Sequence, residues 1–208
     1  MQTLHDLIRI DASLTFAILP YCSHSTEAAT VLHAKGKEVI LHLPMEPLAY
    51  PDEQPGPGAL FLNMSNEAIR RQVDKNISAV PFVTGVNNHM GSIFMADGAK
   101  LSVVLNQLKK KHLFFVDSRT TSSSKAEQIA LKSGVPYISR KIFIDTEKNF
   151  RTTLQKLMKL NDRDYGKNSE PILVIGHPYP DTIRALREAV PALKTEGVDI
   201  VPVSYLVK

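Results

Sequence analysis

The sequence predicts a parallel α/β fold, and three observations carry that expectation. Short apolar runs alternate with segments of helical period along the whole chain. Helical segments end near a glycine and the chain steps straight into the next apolar run, as at Lys35-Gly36, Ser133-Gly134 and Glu196-Gly197. Polar and ionisable residues collect just after the apolar runs rather than inside them. Such alternation implies a parallel sheet, closed as a barrel or open and doubly wound. In either closure the site lies at the C-terminal edge of the strands. At 208 residues one domain spanning 1–208 is the first expectation. That length can bury a core without disulfides or structural metal.

The elements follow in order. Leu4 to Ile8 is helix-like. Ser13 to Leu19 reads as a short buried strand ended by Pro20. Ser23 or Ser25 caps a helix running to about Lys35, stopped by Gly36. Lys37 to Leu41 is the next strand and delivers His42. His42-Leu43-Pro44-Met45-Glu46-Pro47 then opens a Pro- and Gly-rich loop to about Asn63, a length that in a compact domain is usually functional or mobile. Ser65 caps a helix with Ile69, Val73 and Ile77 on one face. Pro81 to Val86 is the third strand, and Asn87-Asn88-His89-Met90-Gly91-Ser92 reads as a strand-to-helix turn.

Asp97 caps the next helix, on which Leu101, Val104, Leu105 and Leu108 repeat at helical spacing. Leu113 to Val116 is the fourth strand and delivers Asp117-Ser118-Arg119. Ser124 to Glu127 fits a capping box, and that helix ends at Gly134. Pro136 to Ser139 is a short strand, followed by Arg140 and Phe143-Ile144-Asp145. A helix carries Phe150, Leu154 and Leu157, and Asn161 to Glu170 is a polar connector. Pro171 to Ile175 is the sixth strand, expected in one sheet with Leu113 to Val116, and it delivers Gly176-His177-Pro178. Asp181 caps a helix through Ile183, Leu186 and Leu193, and Val198 to Val203 is the seventh strand.

Composition narrows the function classes. Apolar residues make up 43% and charged residues 22%, the balance of a soluble globular protein. The net charge is +4, yet Lys and Arg are spread out, and the one run, Lys109 to Lys111, sits at a helix end where cations suit the macrodipole. No nucleic-acid partner is therefore expected, since that function needs a basic stripe. Cys22 is the single cysteine, so no intrachain disulfide forms. No stretch resembles a signal peptide or a membrane span. Gly-x-Gly-x-x-Gly and the Walker loop are both missing, which argues against nucleotide chemistry. No Gly-x-Ser-x-Gly elbow is present, although Ser92 and Ser118 lie in the right region for a nucleophile. Histidine plus carboxylate remains, the ligand set of a hydrolytic metal site.

Five strand ends present ionisable or metal-binding groups: His42, Asn88-His89, Asp117-Ser118-Arg119, Arg140 and His177. Of these, His42, His89, Asp117, Arg119 and His177 are expected to converge on one cleft at the C-terminal edge. His5, His24, His33 and His112 fall on helices or helix edges and read as surface residues.

The ordered set His42-Leu-Pro-Met-Glu46-Pro47, Asn87-Asn88-His89-Met-Gly-Ser92, Phe115-Val-Asp117-Ser118-Arg119-Thr120, Arg140 with Phe143-Ile-Asp145, and Gly176-His177-Pro178 closely resembles the divergent polysaccharide deacetylase family, the YibQ-like proteins. The resemblance runs over nearly the whole chain. It implies a distorted parallel (β/α) barrel, seven-stranded here, and a metal-assisted site that removes an acyl group from an amino sugar of a polysaccharide. The family opens with a strand ending in an Asp-Asp pair; this sequence has no Asp-Asp, and its first strand corresponds to the family's second.

Within that resemblance His42 and His89 are the metal ligands, with zinc the first candidate, and Glu46 or water completes the shell. Asp117 orients a histidine or pairs with Arg119. His177 suits a general acid, because an imidazole titrates near working pH. Asn88 and Ser92 could donate to an acetamido oxygen. Arg119, Arg140 and Asp145 are candidates for binding sugar hydroxyls. The compartment implied is periplasmic or otherwise extracytoplasmic. Two alternatives stand beside the deacetylase: a catalytically silent glycan-binding protein of the cell envelope on the same fold, and a glycoside hydrolase using Glu46 and Asp117 as facing carboxylates.

Overall fold

The structure, a computed structural model, describes residues 1–161 and 171–208. Its helices are α1 (Gln2–Ile8), α2 (Ser25–Ala34), α3 (Asn66–Ala79), α4 (Gly98–Lys110), α5 (Ala126–Ser133), α6 (Phe150–Met158) and α7 (Pro180–Thr195). Its strands are β1 (Thr15–Ile18), β2 (Glu38–Met45), β3 (Val83–Met90), β4 (Phe114–Asp117), β5 (Tyr137–Ser139), β6 (Ile142–Phe143) and β7 (Val174–Ile175). All their pairings are parallel, so the α/β class read from the alternation holds. The polar connector lies outside the described residues from position 162 to 170.

The described residues form two compact units. The central unit, Thr15–Ser139 with Val207–Lys208, holds a five-stranded sheet in the order β1-β2-β3-β4-β5. Each strand lies beside its predecessor, as in a (β/α) barrel; a doubly wound sheet reverses its order at a switch point. Leu41, Leu43, Met45, Val86 and Phe115 are fully buried strand residues, and Leu101, Val104, Leu105 and Leu108 of α4 are buried as their spacing predicts. At Gly85 a β-carbon would fall 2.3 Å from the Phe114 ring, so the glycine lets that ring lie across β3. The terminal unit, Met1–Leu14 with Arg140–Leu206, pairs β6 with β7. Ile144, Leu157, Ala185, Ala189 and Leu193 form its core under α6 and α7, and Ile10, Ala12 and Val190 form a second, smaller one.

Several local expectations change for identifiable reasons. Leu113 to Val116 and Pro171 to Ile175 belong to different hydrogen-bonded ladders: β4 sits in the central sheet, and β7 pairs with β6. Val198 to Val203 is not a strand; Pro202 offers no N–H to a ladder, and Val203–Tyr205 winds into a 3-10 turn. Asn87 to Met90 is not a turn but the end of β3, paired one for one with His42 to Met45 of β2. A neighbouring strand that pairs with the backbone overrides the turn preference of asparagine.

Caps divide similarly. Ser65 and Asp97 cap α3 and α4 through bonds from Ala68 and Lys100. Ser25 does not cap α2; its hydroxyl donates to the Leu19 carbonyl. Asp181 does not cap α7, where Pro180 occupies the first turn; its carboxylate accepts from the Phe150 amide instead.

Candidate functional site

Paired residues of a parallel ladder face the same side of the sheet. His42 pairs with Asn87, Pro44 with His89, and Asn87 with Val116. His42, Asn87, His89 and, two beyond Val116, Ser118 therefore share one face. Their side chains join in a hydrogen-bonded row. Nδ1 of His42 lies 2.9 Å from Oδ1 of Asn87, and Nδ1 of His89 lies 3.0 Å from Nε2 of His42. Asn87 Nδ2 donates to Ser118 Oγ at 3.1 Å, and that hydroxyl donates to the Asn88 carbonyl at 2.9 Å.

The row assigns the protons. Asn87 Oδ1 can only accept, so His42 carries a proton on Nδ1, and its Nε2 faces Nδ1 of His89. Asn87 is almost fully buried, which holds this clamp rigid. Asn88 is fully buried on the opposite face, where its amide donates to the Met90 carbonyl and Thr120 Oγ1 and its oxygen accepts from the Ser118 amide. Asn88 thus ties β3 to the turn after β4. Met90 and Gly91 both adopt positive φ, 52° and 84°, and a β-carbon at Gly91 would fall 2.8 Å from that of Met45. That left-handed step turns the chain off β3 immediately after His89.

Asp117 is fully buried, but alternation puts it on the face away from the histidines. Its carboxylate accepts from the Arg119 amide at 2.7 Å, from Ser124 Oγ at 2.7 Å and, more weakly, from the Tyr137 hydroxyl at 3.4 Å. Burial, and after it the Asp117 charge, push the Tyr137 hydroxyl well above the ordinary tyrosine value. Arg119 sits at φ 54°, a strained position for an arginine, held by that bond to Asp117. Ser124, read as half of a capping box, spends its hydroxyl on Asp117 while accepting from the Ala126 amide.

Glu46 and Ser92 serve the loop after β2. One Glu46 oxygen accepts from the Leu62 amide at 2.6 Å, and Ser92 Oγ accepts from the Leu48 amide at 2.8 Å. Glu46 and Asp117 do not face one another across a cleft, so the glycosidase arrangement gains no support.

In the terminal unit a second group forms around Asp145. Its buried carboxylate accepts from the His177 amide, from Thr182 Oγ1 at 2.9 Å, and lies 3.2 Å from Nδ1 of His177. The half-exposed imidazole is thereby oriented, with Nε2 left on the side away from Asp145. Phe143 and Tyr179 flank the ring at 5.1 and 5.2 Å. Arg140 stacks over Phe143 at 5.0 Å and Lys148 over Tyr179 at 5.1 Å.

The central unit thus brings together His42, His89 and Asn87, with Asn88 and Ser118 as their supports. The terminal unit brings together His177, Asp145 and Arg140. Asn87 was not singled out as a site residue in the sequence; its signal is the two-residue spacing to His89, visible once the stretch is read as a strand. Thr182 and Tyr137 carry no comparable signal.

Comparison with known proteins identifies the family and the fold. A family model described as divergent polysaccharide deacetylase matches residues 1–207. The protein YibQ of Escherichia coli (strain K12) is 32% identical over 190 residues, which cover 89% of this chain and 57% of that protein. A protein of Haemophilus influenzae is 32% identical over 174 residues, 84% of this chain and 61% of that one. The chain therefore spans about three fifths of the length of these relatives. The crystal structure of ATU2773 from Agrobacterium tumefaciens C58 shares the fold, with a TM-score of 0.92 at 24% identity, covering 100% of this chain and 84% of that one.

Proposed function

The chain belongs to the divergent polysaccharide deacetylase family, and from that premise we propose that it is a metal-dependent hydrolase removing N- or O-acyl groups from a polysaccharide of the cell envelope. The compartment that goes with such a substrate is the periplasm or another extracytoplasmic space. No helix among the described residues is long and apolar enough to cross a membrane.

The observation that carries the reading is the clamp on His42. A metal-ligating histidine characteristically donates its second ring N–H to a fixed acceptor, and His42 does so to Asn87. The donor spacing also fits. Two tetrahedral ligands of one zinc ion, each bonded at about 2.0–2.1 Å, stand about 3.3 Å apart. The facing nitrogens of His42 and His89 stand 3.0 Å apart. Among the described residues no group of three His, Cys, Asp or Glu side chains suits a metal ion. His42 and His89 are the residues that would hold a divalent ion, zinc first. When bound, the ion supplies Lewis-acid polarisation of the acyl oxygen and a more acidic water.

The chain's own residues do the rest. Hydrolysis joins the oxygen of water to the acyl carbon, breaks the C–N or C–O bond, and requires a proton at the departing nitrogen or oxygen. Within the terminal unit, His177 is the group suited to hold and release a proton. Asp145 fixes the ring from the Nδ1 side, which leaves Nε2 to carry and release it. Arg140 and Lys148 flank this imidazole through the rings they stack on and suit hydrogen bonds to sugar hydroxyls.

Acetate release from N-acetylated chitin or peptidoglycan fragments tests the reading. Release by zinc-loaded protein, lost in His89→Ala and His177→Ala, supports the hydrolase. Glycan binding without release by the zinc-loaded wild type replaces it with the glycan-binding protein.

A further inference from the structure

We propose that the loop between β2 and α3 displays Tyr50 as a stacking platform for a pyranose ring, and that Glu46 and Ser92 act as the positioning residues that hold this loop. The substrate class rests on the deacetylase reading; the platform itself rests on the loop.

Every residue from 48 to 54 is exposed, while Pro47 and Pro55 at either end are buried. Such a segment projects from two fixed posts. Its base is tied down at several points. The Glu46 amide donates to the Leu60 carbonyl and the Leu60 amide to the Pro44 carbonyl. The Glu46 carboxylate takes the Leu62 amide, and Ser92 Oγ takes the Leu48 amide. Fully buried Asn76 donates to the Gly58 carbonyl at 2.8 Å. The tip is internally bonded as well, from the Glu53 amide to the Ala49 carbonyl and from Gln54 Nε2 to the Pro51 carbonyl.

On this rigid base two large apolar side chains face water: Leu48 is 75% exposed and Tyr50 42%. Neither contributes much to a core at that exposure. The Tyr50 ring is nevertheless set, leaning on Phe61 with centroids 4.9 Å apart and a 57° tilt. A tyrosine held this way offers a flat apolar face and a hydroxyl at small entropic cost. A pyranose matches both features, with an apolar C–H face and a rim of hydroxyls. The neighbouring Asp52 and Glu53 disfavour an anionic membrane surface as the occupant. The position is also right. Glu46 comes one residue after β2 and Ser92 two residues after β3, so the loop's anchors follow directly on the two strands that carry the histidine pair.

Titration of the whole chain with chitopentaose, read by calorimetry or NMR, tests the proposal. Tyr50→Ala should weaken binding about tenfold, while Tyr50→Phe, which keeps the ring, should stay within about twofold. Tyr205→Ala, an exposed tyrosine on another segment, should match wild type. In turnover, Tyr50→Ala should raise KM with kcat nearly unchanged. Equal affinity in wild type and Tyr50→Ala overturns the platform, as does folded wild type that binds neither chitopentaose nor a peptidoglycan fragment. Tyr50-dependent binding without acetate release removes the hydrolase reading and leaves the platform standing.

Discussion

Nδ1 of His89 lies 3.0 Å from Nε2 of His42, with the two rings 4.7 Å apart and inclined at 61°. Adjacent parallel strands place these residues two ladder steps apart on one face, and only a deliberate choice of rotamers brings the nitrogens into contact. The same spacing serves a neutral hydrogen bond or a shared cation, and the experiments below separate those uses.

Zinc affinity should depend on the clamp as well as on the pair. His89→Ala should abolish binding by calorimetric titration, and His112→Ala should leave it unchanged. Asn87→Ala frees His42 Nδ1 and should weaken binding by about 10–100-fold, the usual cost of losing a partner behind a ligand. Equal affinity in wild type and His89→Ala would remove the metal reading. With two protein ligands, wild-type affinity itself should be modest.

Asp145→Asn should act through His177. It keeps the size of the side chain but loses the charge that orients the imidazole. Deacetylation should fall by about 10²-fold or more, while glycan affinity changes little. The loss should fall on kcat of the folded protein; a purely structural role would lower the folded fraction and leave kcat per folded molecule in place.

Asp117→Ala should lower stability rather than chemistry. It removes the acceptor of the part-buried bonds from the Arg119 amide and the Ser124 hydroxyl, at a cost of about 1–3 kcal/mol. Urea unfolding measures this directly. Zinc affinity should remain near wild type, because Asp117 lies on the far face of the sheet from His42 and His89. A mutant of full stability would show that the Asp117 hub is not structural.

Alkaline unfolding should report Tyr137. Burial and the Asp117 charge raise its pKa above the ordinary 10.0, so the folded state keeps a proton that the unfolded state releases. Stability from this group is complete below about pH 10 and declines as the pH rises past the unfolded value. Tyr137→Phe should flatten that decline in urea midpoints taken from about pH 8 to 11, with little change at pH 7. An unchanged alkaline slope would remove Tyr137 as its source.

Gly85→Ala should destabilise by about 1–3 kcal/mol, because its β-carbon meets the Phe114 ring at 2.3 Å. Gly85→Ala with Phe114→Leu should recover part of the loss in the same unfolding assay, since the smaller side chain vacates that space.

Local chemistry by itself determined much of this protein. Alternation of apolar runs and helical periods identified the parallel α/β class. Ser65 and Asp97 announced their helices, and Gly134 its helix end at φ 67°. These features depend on neighbours in sequence, so a one-dimensional pattern holds them. The tertiary structure decided what depends on neighbours in space. Pairing with β2 drew Asn87 to Met90 into β3, and that extension put Asn87 beside His42. Strand alternation then sent Asp117 to one face and Ser118 to the other, although the two are adjacent in sequence. Glu46 and Ser92 look like reacting groups in a polar motif, yet their hydrogen bonds go to amides of a folded-back loop. A polar side chain shows in sequence that it needs a partner; which partner it finds depends on the strand register and loop path that bring distant segments together.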